Sequence, residues 1–292
     1  MKKTIKLISL CIILSILGGC FDKNNLENAT INTTVYPVMF LTEYLYGDNS
    51  QVNSIYPAGV DIENYTLNKK QIKEYAKADL FIYNGLTKEK EIAKELINKN
   101  KNMLIIDVSY GLKYMYGVEE LWLSPNNFLM LAKNAKEYLK EYVNSKYAIE
   151  KIEEKYKELE ETMSLMDAEL RNIKKTAVEE KKSITLVTSS SVFKFLERYG
   201  FNVIALDDEE NLTTNNLNNI KSNFKNGNYD SILMLKKDEK TEVINSLVND
   251  YKANVVTVDE MYALDSSEKN NNETYLTIMD TFIDNIRNII LE

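Results

Sequence analysis

Histidine is absent from all 292 residues, and the only two cysteines, Cys11 and Cys20, sit within the first twenty. The first absence removes the commonest general base and the commonest transition-metal ligand. The second leaves no thiol in the body of the chain for a disulfide, a catalytic nucleophile or a soft-metal site. Basic clusters are missing too. The net charge is −8, and an acidic chain without a basic patch is a poor candidate for nucleic acid, though not for cations. What is present is ordinary for a globular protein: 44% hydrophobic and 27% charged residues, in a length that suits one large domain or two lobes.

Residues 1–19 read as a signal peptide. Lys2, Lys3 and Lys6 form a basic start, and Leu7 to Leu17 is an apolar core too short for a stable membrane span. The run Leu17-Gly18-Gly19-Cys20 resembles a bacterial lipobox, in which the cysteine is lipidated and becomes the first mature residue. Cys20 would then anchor the chain in the lipid bilayer through two acyl chains, the number that durable attachment needs. Residues 20–31, rich in Asn, would be the tether. An ordinary secretory signal or a short N-terminal anchor is the plainer alternative. On either reading of export, the mature chain works outside the cytoplasm, at the cell surface or the periplasmic side of a bacterial membrane.

Beyond the tether two textures alternate. Strand-like runs at 31–36, 51–56, 79–83 and 103–107 are separated by helical patterns at about 37–47, 68–77 and 88–99. Strands spaced by helix-length segments predict βαβ units and a parallel sheet. Residues 125–178 differ. Ser124-Pro125 is a helix start, and no further Pro or Gly follows to Val178, which predicts one long helix or two with a break near Asn144-Ser145. The first texture returns with strand-like runs at 183–188, 202–206, 230–235 and 255–258. The expected fold is therefore α/β: an N-terminal lobe (32–124), a linking helix (125–178) and a C-terminal lobe (179–292), each lobe a small parallel sheet flanked by helices.

Ligands in open parallel sheets bind beyond the carboxyl ends of the strands. The loops there carry Glu63 in "PAGVDIENY", Glu119 and Glu120 before Trp122, the turn Thr188–Ser191, and Asp259 after the last strand. Carboxylates gathered in one cleft repel one another unless some are protonated or a cation offsets them. Acids with no His, Cys or nucleophile–base pair read as a cation site before they read as a catalytic one. Taken singly, each has a plainer role: a solvated loop acid for Glu63 and Glu120, a helix cap for Ser190, a turn former for Asp259.

The segments "TTVYPVMFLTEYLYGD", "SIYPAGVDIENYTLNKKQIKEYAKADLFIYNGL" and "ELWLSPNNFLMLAKNAKEYL" resemble the solute-binding lipoproteins of bacterial zinc and manganese ABC importers, and "VTSSSVFKFLERYGF" and "VVTVDEMY" extend the likeness through the second lobe. The resemblance implies two lobes joined by one rigid helix, a metal held between them, a monomeric receptor and an ABC permease as partner. It also implies a ligand set. The positions that deliver His in that family are occupied here by Glu63 and Glu120. Ser190 stands where a His or Glu is usual, as a weak candidate, and Asp259 matches the family's last ligand. Trp122 would pack beneath the site. An oxygen-only set suits Mn²⁺, Mg²⁺ or Ca²⁺, whereas tight zinc sites recruit His or Cys. The expected cargo is therefore Mn²⁺ before Zn²⁺, although Zn²⁺ still binds by its place in the Irving–Williams order. Two rival readings keep the same residues: a surface adhesin or accessory lipoprotein that has lost or changed its metal, and a metal-assisted hydrolase.

Overall fold

The computed structural model describes residues 26–60, 62, 64–210 and 212–292. The signal peptide, Cys20, Asp61 and Glu63 lie outside the described residues.

Two four-stranded sheets are present, each wholly parallel. The first holds β1 (Ala29–Thr33), β2 (Ser50–Ser54), β3 (Leu80–Tyr83) and β4 (Leu104–Asp107) in the order β2-β1-β3-β4. The second holds β5 (Thr185–Thr188), β6 (Asn202–Ala205), β7 (Ser231–Leu235) and β8 (Asn254–Val258) in the order β6-β5-β7-β8, so the two lobes repeat one topology. The inner strands β3 (LFIY) and β7 (SILML) are buried at every residue, as continuous apolar runs covered on both faces should be. The edge strand β2 (SQVNS) alternates between half-buried and exposed.

Helices α1 (Tyr36–Tyr46), α2 (Lys69–Tyr75) and α3 (Glu89–Lys99) connect the strands of the first lobe, and a short α4 (Glu120–Leu123) precedes the linker. The linker is two helices, α5 (Pro125–Tyr142) and α6 (Lys146–Glu179). Pro fits the first turn of α5, where its missing N–H would have no partner anyway. Three residues separate the helices, and the Ser145 hydroxyl opens α6 by accepting a hydrogen bond from the Ala148 amide at 3.3 Å. At 34 residues α6 is about 50 Å long. It packs along α5, against α1 of the first lobe and against the C-terminal helix of the second. The second lobe adds a 3-10 helix (Ser191–Tyr199), α7 (Thr214–Lys225), α8 (Glu242–Tyr251), α9 (Ser266–Asn270) and α10 (Tyr275–Leu291). Among the described residues no helix is long and apolar enough to cross a membrane.

One hydrophobic core runs through both lobes and the linker, with a smaller satellite core in the second lobe beneath α7 and α8. Where the lobes meet, Tyr275 of α10 stacks on Phe128 of α5, with ring centroids 3.8 Å apart, and lies 5.4 Å from Phe40 of α1. Its hydroxyl donates to the Trp122 carbonyl at 2.7 Å. The lobes are thus joined by buried aromatic packing behind the cleft, which favours small adjustments over wide hinge motion.

Candidate site between the lobes

In a sheet of order 2-1-3-4 the chain leaves the first strand in opposite directions, and the crevice at that switch point is where ligands gather. In the first lobe the crevice lies between the loops after β1 and β3, and in the second between those after β5 and β7. Between the lobes is a cleft of about 530 Å³, lined from the first lobe by residues that follow β2 (Tyr56, Ile62), β3 (Glu89) and β4 (Tyr114, Tyr116, Glu119) and from the second by residues of the loops after β5 (Ser190) and β7 (Lys237, Asp238), with Leu235 at the end of β7. That is more than ten times the ~30 Å³ share of a water molecule, so a hydrated ion and moving side chains both fit.

Glu119 is 4% exposed and is the carboxylate that reaches across. Its Oε1 lies 2.5 Å from the Lys237 ammonium and also accepts a hydrogen bond from the Tyr262 hydroxyl. Lys237 Nζ hydrogen-bonds the Tyr262 oxygen at 2.5 Å and sits 4.8 Å from the centre of that ring. The Lys237 amide donates to the buried Glu260 carboxylate. Burial raises the pKa of Glu260, against the lowering effect of that backbone hydrogen bond.

Glu120, the neighbour singled out by the motif, points the other way. Its Oε1 accepts hydrogen bonds from the amides of Met115 (3.2 Å), Tyr116 (2.5 Å) and Gly117 (3.0 Å). The carboxylate closes the loop that leads into α4. Gly117 admits this fold, because a Cβ there would stand 2.7 Å from Glu119 Oε2 and 2.9 Å from Val192 Cγ2.

Asp259 follows β8 as expected but is held by other partners. Its Oδ1 accepts from the Met261 amide at 2.6 Å, and its Oδ2 lies 2.9 Å from Lys236 Nζ. Lys236 also contacts Asp265 and Glu268, each at 3.0 Å. Burial alone would lower the Lys236 pKa, but these three hydrogen-bonded carboxylates outweigh it and raise it. Asp259 borders a separate hollow with Lys236, Glu268 and Glu273 rather than the cleft of Glu119. Ser190 lines the cleft, and its hydroxyl caps the 3-10 helix by accepting from the Val192 amide at 3.2 Å. Trp122 is wholly buried, packs edge-on against Tyr262, and donates its indole N–H to the Glu260 carbonyl at 2.8 Å. Among the described residues no group of three or more His, Cys, Asp or Glu is arranged to hold a metal ion. The structure therefore gives Glu120, Asp259 and Ser190 separate hydrogen-bond partners, and Glu63 lies outside the described residues.

Three cleft residues were not named by the motifs. Glu89, at the start of α3, is 1% exposed; its Oε2 accepts from the Asn84 amide at 2.8 Å. Burial lifts its pKa to about 7, tempered by the Thr34 hydroxyl, the Asn84 amide and the Tyr56 hydroxyl. Asp238 accepts from the Ser189 hydroxyl at 2.7 Å, and burial raises its pKa as well. Lys237 is the third. Glu89 stands after β3, and Lys237 and Asp238 after β7, so the strand-end rule covers all three.

A cleft between two α/β lobes, with binding groups on the strand-end loops and a rigid helical link behind, defines a two-lobed solute-binding receptor. The chain belongs to the family described as zinc-uptake complex component A, periplasmic, whose model matches residues 31–289. Curated relatives agree. The manganese ABC transporter substrate-binding lipoprotein PsaA of Streptococcus pneumoniae is 28% identical over 222 residues, 68% of this chain and 70% of that one. A putative metal-binding protein of Thermotoga maritima is 24% identical over 268 residues, 89% of this chain and 91% of that one. The fold matches the metal-dependent lipoprotein YcdH of Bacillus subtilis (TM-score 0.73, 20% identity, 90% of this chain and 100% of that one). It also matches the Zn(II)-bound ZnuA-like domain of Streptococcus pneumoniae AdcA (TM-score 0.71, 19% identity, 91% and 100%). Membership in this family makes the chain a solute-binding receptor of the metal ABC transporter class and not an enzyme, which removes the hydrolase reading.

Proposed function

We propose that the chain is a lipid-anchored extracytoplasmic receptor of a metal ABC importer, which captures one divalent cation in the interlobe cleft and hands it to a membrane permease. The observation that carries this reading is Glu119: a carboxylate almost removed from water, at the boundary of the two lobes, already engaged with a positive charge. A buried carboxylate without such a partner would be strongly disfavoured, so the position is built for a cation. Similarity to PsaA, a manganese ABC transporter substrate-binding lipoprotein, supports transport over an adhesive or accessory role.

The ligand set we propose is Glu63, Asp259 and, in place of Glu120, its neighbour Glu119, with Ser190 or water completing the shell. Tyr56 and Ile62, from the loop that carries Glu63, line the cleft, which supports keeping Glu63 in the set. Asp259 borders a neighbouring hollow, so to join the set it must leave Lys236 and turn into the cleft. With no His in the chain, the donors of the proposed set are all oxygens, so Mn²⁺ is the proposed cargo and Zn²⁺ its competitor. Attachment at Cys20 and a monomeric state complete the proposal. The test is titration calorimetry of the purified mature protein with Mn²⁺ and, in competition, Zn²⁺. We expect near one ion per chain, and at least a tenfold loss of Mn²⁺ affinity in Glu63→Ala. Undiminished binding in that variant would remove Glu63 from the set.

A further inference from the structure

We propose that Lys237 is a tethered counter-cation. It holds Glu119 before cargo arrives, and the divalent ion must displace it, so loading exchanges one positive charge for another. This rests on the metal-receptor reading above and deepens it by naming the residue that sets how readily the cleft accepts an ion.

The geometry is that of a bound cation. Lys237 Nζ lies 2.5 Å from Glu119 Oε1 and 2.5 Å from the Tyr262 hydroxyl oxygen, off the hydroxyl end of that ring. Carboxylate and phenol oxygen together hold the ammonium. The two partners differ in freedom. The Glu119 side chain is 5% exposed and is also bound by Tyr262, whereas that of Lys237 is 37% exposed. The Lys237 backbone is fixed by Glu260, but its four-carbon stem is flexible and its head is readily hydrated. Lys237 can therefore swing into solvent while Glu119 stays in the cleft. An arriving Mn²⁺ brings two charges to Glu119 where the ammonium brought one, and Lys237 regains its hydration.

The preceding residue repeats the arrangement. Lys236 is bound by Asp259, Asp265 and Glu268 at 2.9–3.0 Å. The loop after β7 thus delivers two adjacent ammonium groups to two acidic positions, one of them the family's last ligand. Glu119 belongs to the first lobe and Lys237 to the second, 118 residues apart in sequence. Exchange at Glu119 consequently breaks an ion pair that crosses the cleft, and this local change distinguishes the loaded surface from the unloaded one. Monovalent ions carry no more charge than the ammonium they would have to replace, so the tether also screens them out.

The test compares the wild type, Lys237→Met and Lys237→Arg as full mature chains, freed of metal with chelator and titrated with MnCl₂ by calorimetry. Methionine keeps much of the stem and removes the charge; arginine keeps the charge. We expect Lys237→Met to bind Mn²⁺ at least tenfold more tightly than the wild type, and Lys237→Arg to stay at or below wild-type affinity. A purely structural lysine predicts the opposite sign, a weaker Lys237→Met. If the wild type binds Mn²⁺ and Lys237→Met binds equally or less well, the tethered-cation proposal is wrong while the receptor reading stands. If neither the wild type nor either variant binds Mn²⁺ or Zn²⁺ at millimolar concentration, the receptor reading fails and this proposal with it. Should Lys237→Met not fold, Lys237→Gln gives the same comparison.

Discussion

Glu89 carries an ionisation that folding resists. It is buried at the start of α3, and its pKa of about 7 lies above the ordinary 4.5 because desolvation penalises the charged form. The folded protein therefore holds the proton more tightly than the unfolded chain. Below about pH 4.5 both states are protonated and the group contributes nothing; as pH rises to about 7 the unfolded chain ionises first and stability falls. The full difference is on the order of 3 kcal/mol. Glu89→Gln keeps an acceptor for the Asn84 amide and cannot ionise. It should be more stable than the wild type at pH 8, by up to about 3 kcal/mol, and nearly equal to it at pH 4.5. Urea denaturation at the two pH values checks this, and an equal gain at both would remove ionisation as the cause. The same residue marks how far the site could be read in advance. Acids at strand ends were visible in the sequence. Which of two adjacent acids turns into the cleft was not, because Glu119 is held by Lys237, 118 residues away in sequence, while Glu120 folds back on the Met115–Gly117 amides of its own loop. The lysines of "LKKDE" already neutralise Asp259 and Glu119, a pairing that clustered acids alone do not announce.

Elements were more legible than side chains. Seven of the eight strands lie within two residues of the apolar runs that announce them, since period and burial are local properties that survive into the fold; β1 (Ala29–Thr33) ends three residues before its run does, because Tyr36 already opens α1. Missed elements are short: a 3-10 turn at Gly47–Asn49, and α4 and α9, of three, four and five residues, too brief to show a period. The linker left two readings open, and α5 and α6 realise the divided one. Ser145 is the reason. In its extended conformation (φ −71°, ψ 116°) it caps α6 from outside the helix, a role for which Ser is well suited and which stops α5 from running on. Ser145→Ala removes that acceptor and should cost about 1 kcal/mol in stability. Ser145→Asp should restore it, because a carboxylate caps as well as a hydroxyl and favours the helix N-terminus. Denaturation midpoints of the three proteins test the pair. If Asp does not recover what Ala loses, the hydroxyl is not acting as a cap.

At the scale of the molecule, the question is what keeps two lobes in register around a cleft that must still admit an ion. The contact across the front is polar and exchangeable: Glu119, Lys237 and Tyr262. Behind it the joint is apolar and buried. Tyr275 belongs by sequence to the second lobe, yet it packs on Phe128 and Phe40 and hydrogen-bonds the Trp122 carbonyl, while the Trp122 indole returns a hydrogen bond to Glu260. A rigid rear joint and a labile front contact together predict a receptor that loads by rearranging side chains and loops at the mouth. Tyr275→Ala should therefore lose about 3–5 kcal/mol, the usual cost of emptying a buried aromatic position. It should also uncouple the lobes, so that calorimetric melting broadens or splits into two transitions. Tyr275→Phe retains the rings and leaves the Trp122 carbonyl without its donor, which should cost about 1–2 kcal/mol and leave melting cooperative. If Tyr275→Ala instead melts in one transition at the wild-type temperature, the lobes are joined through α6 alone, and the aromatic joint is not what limits their motion.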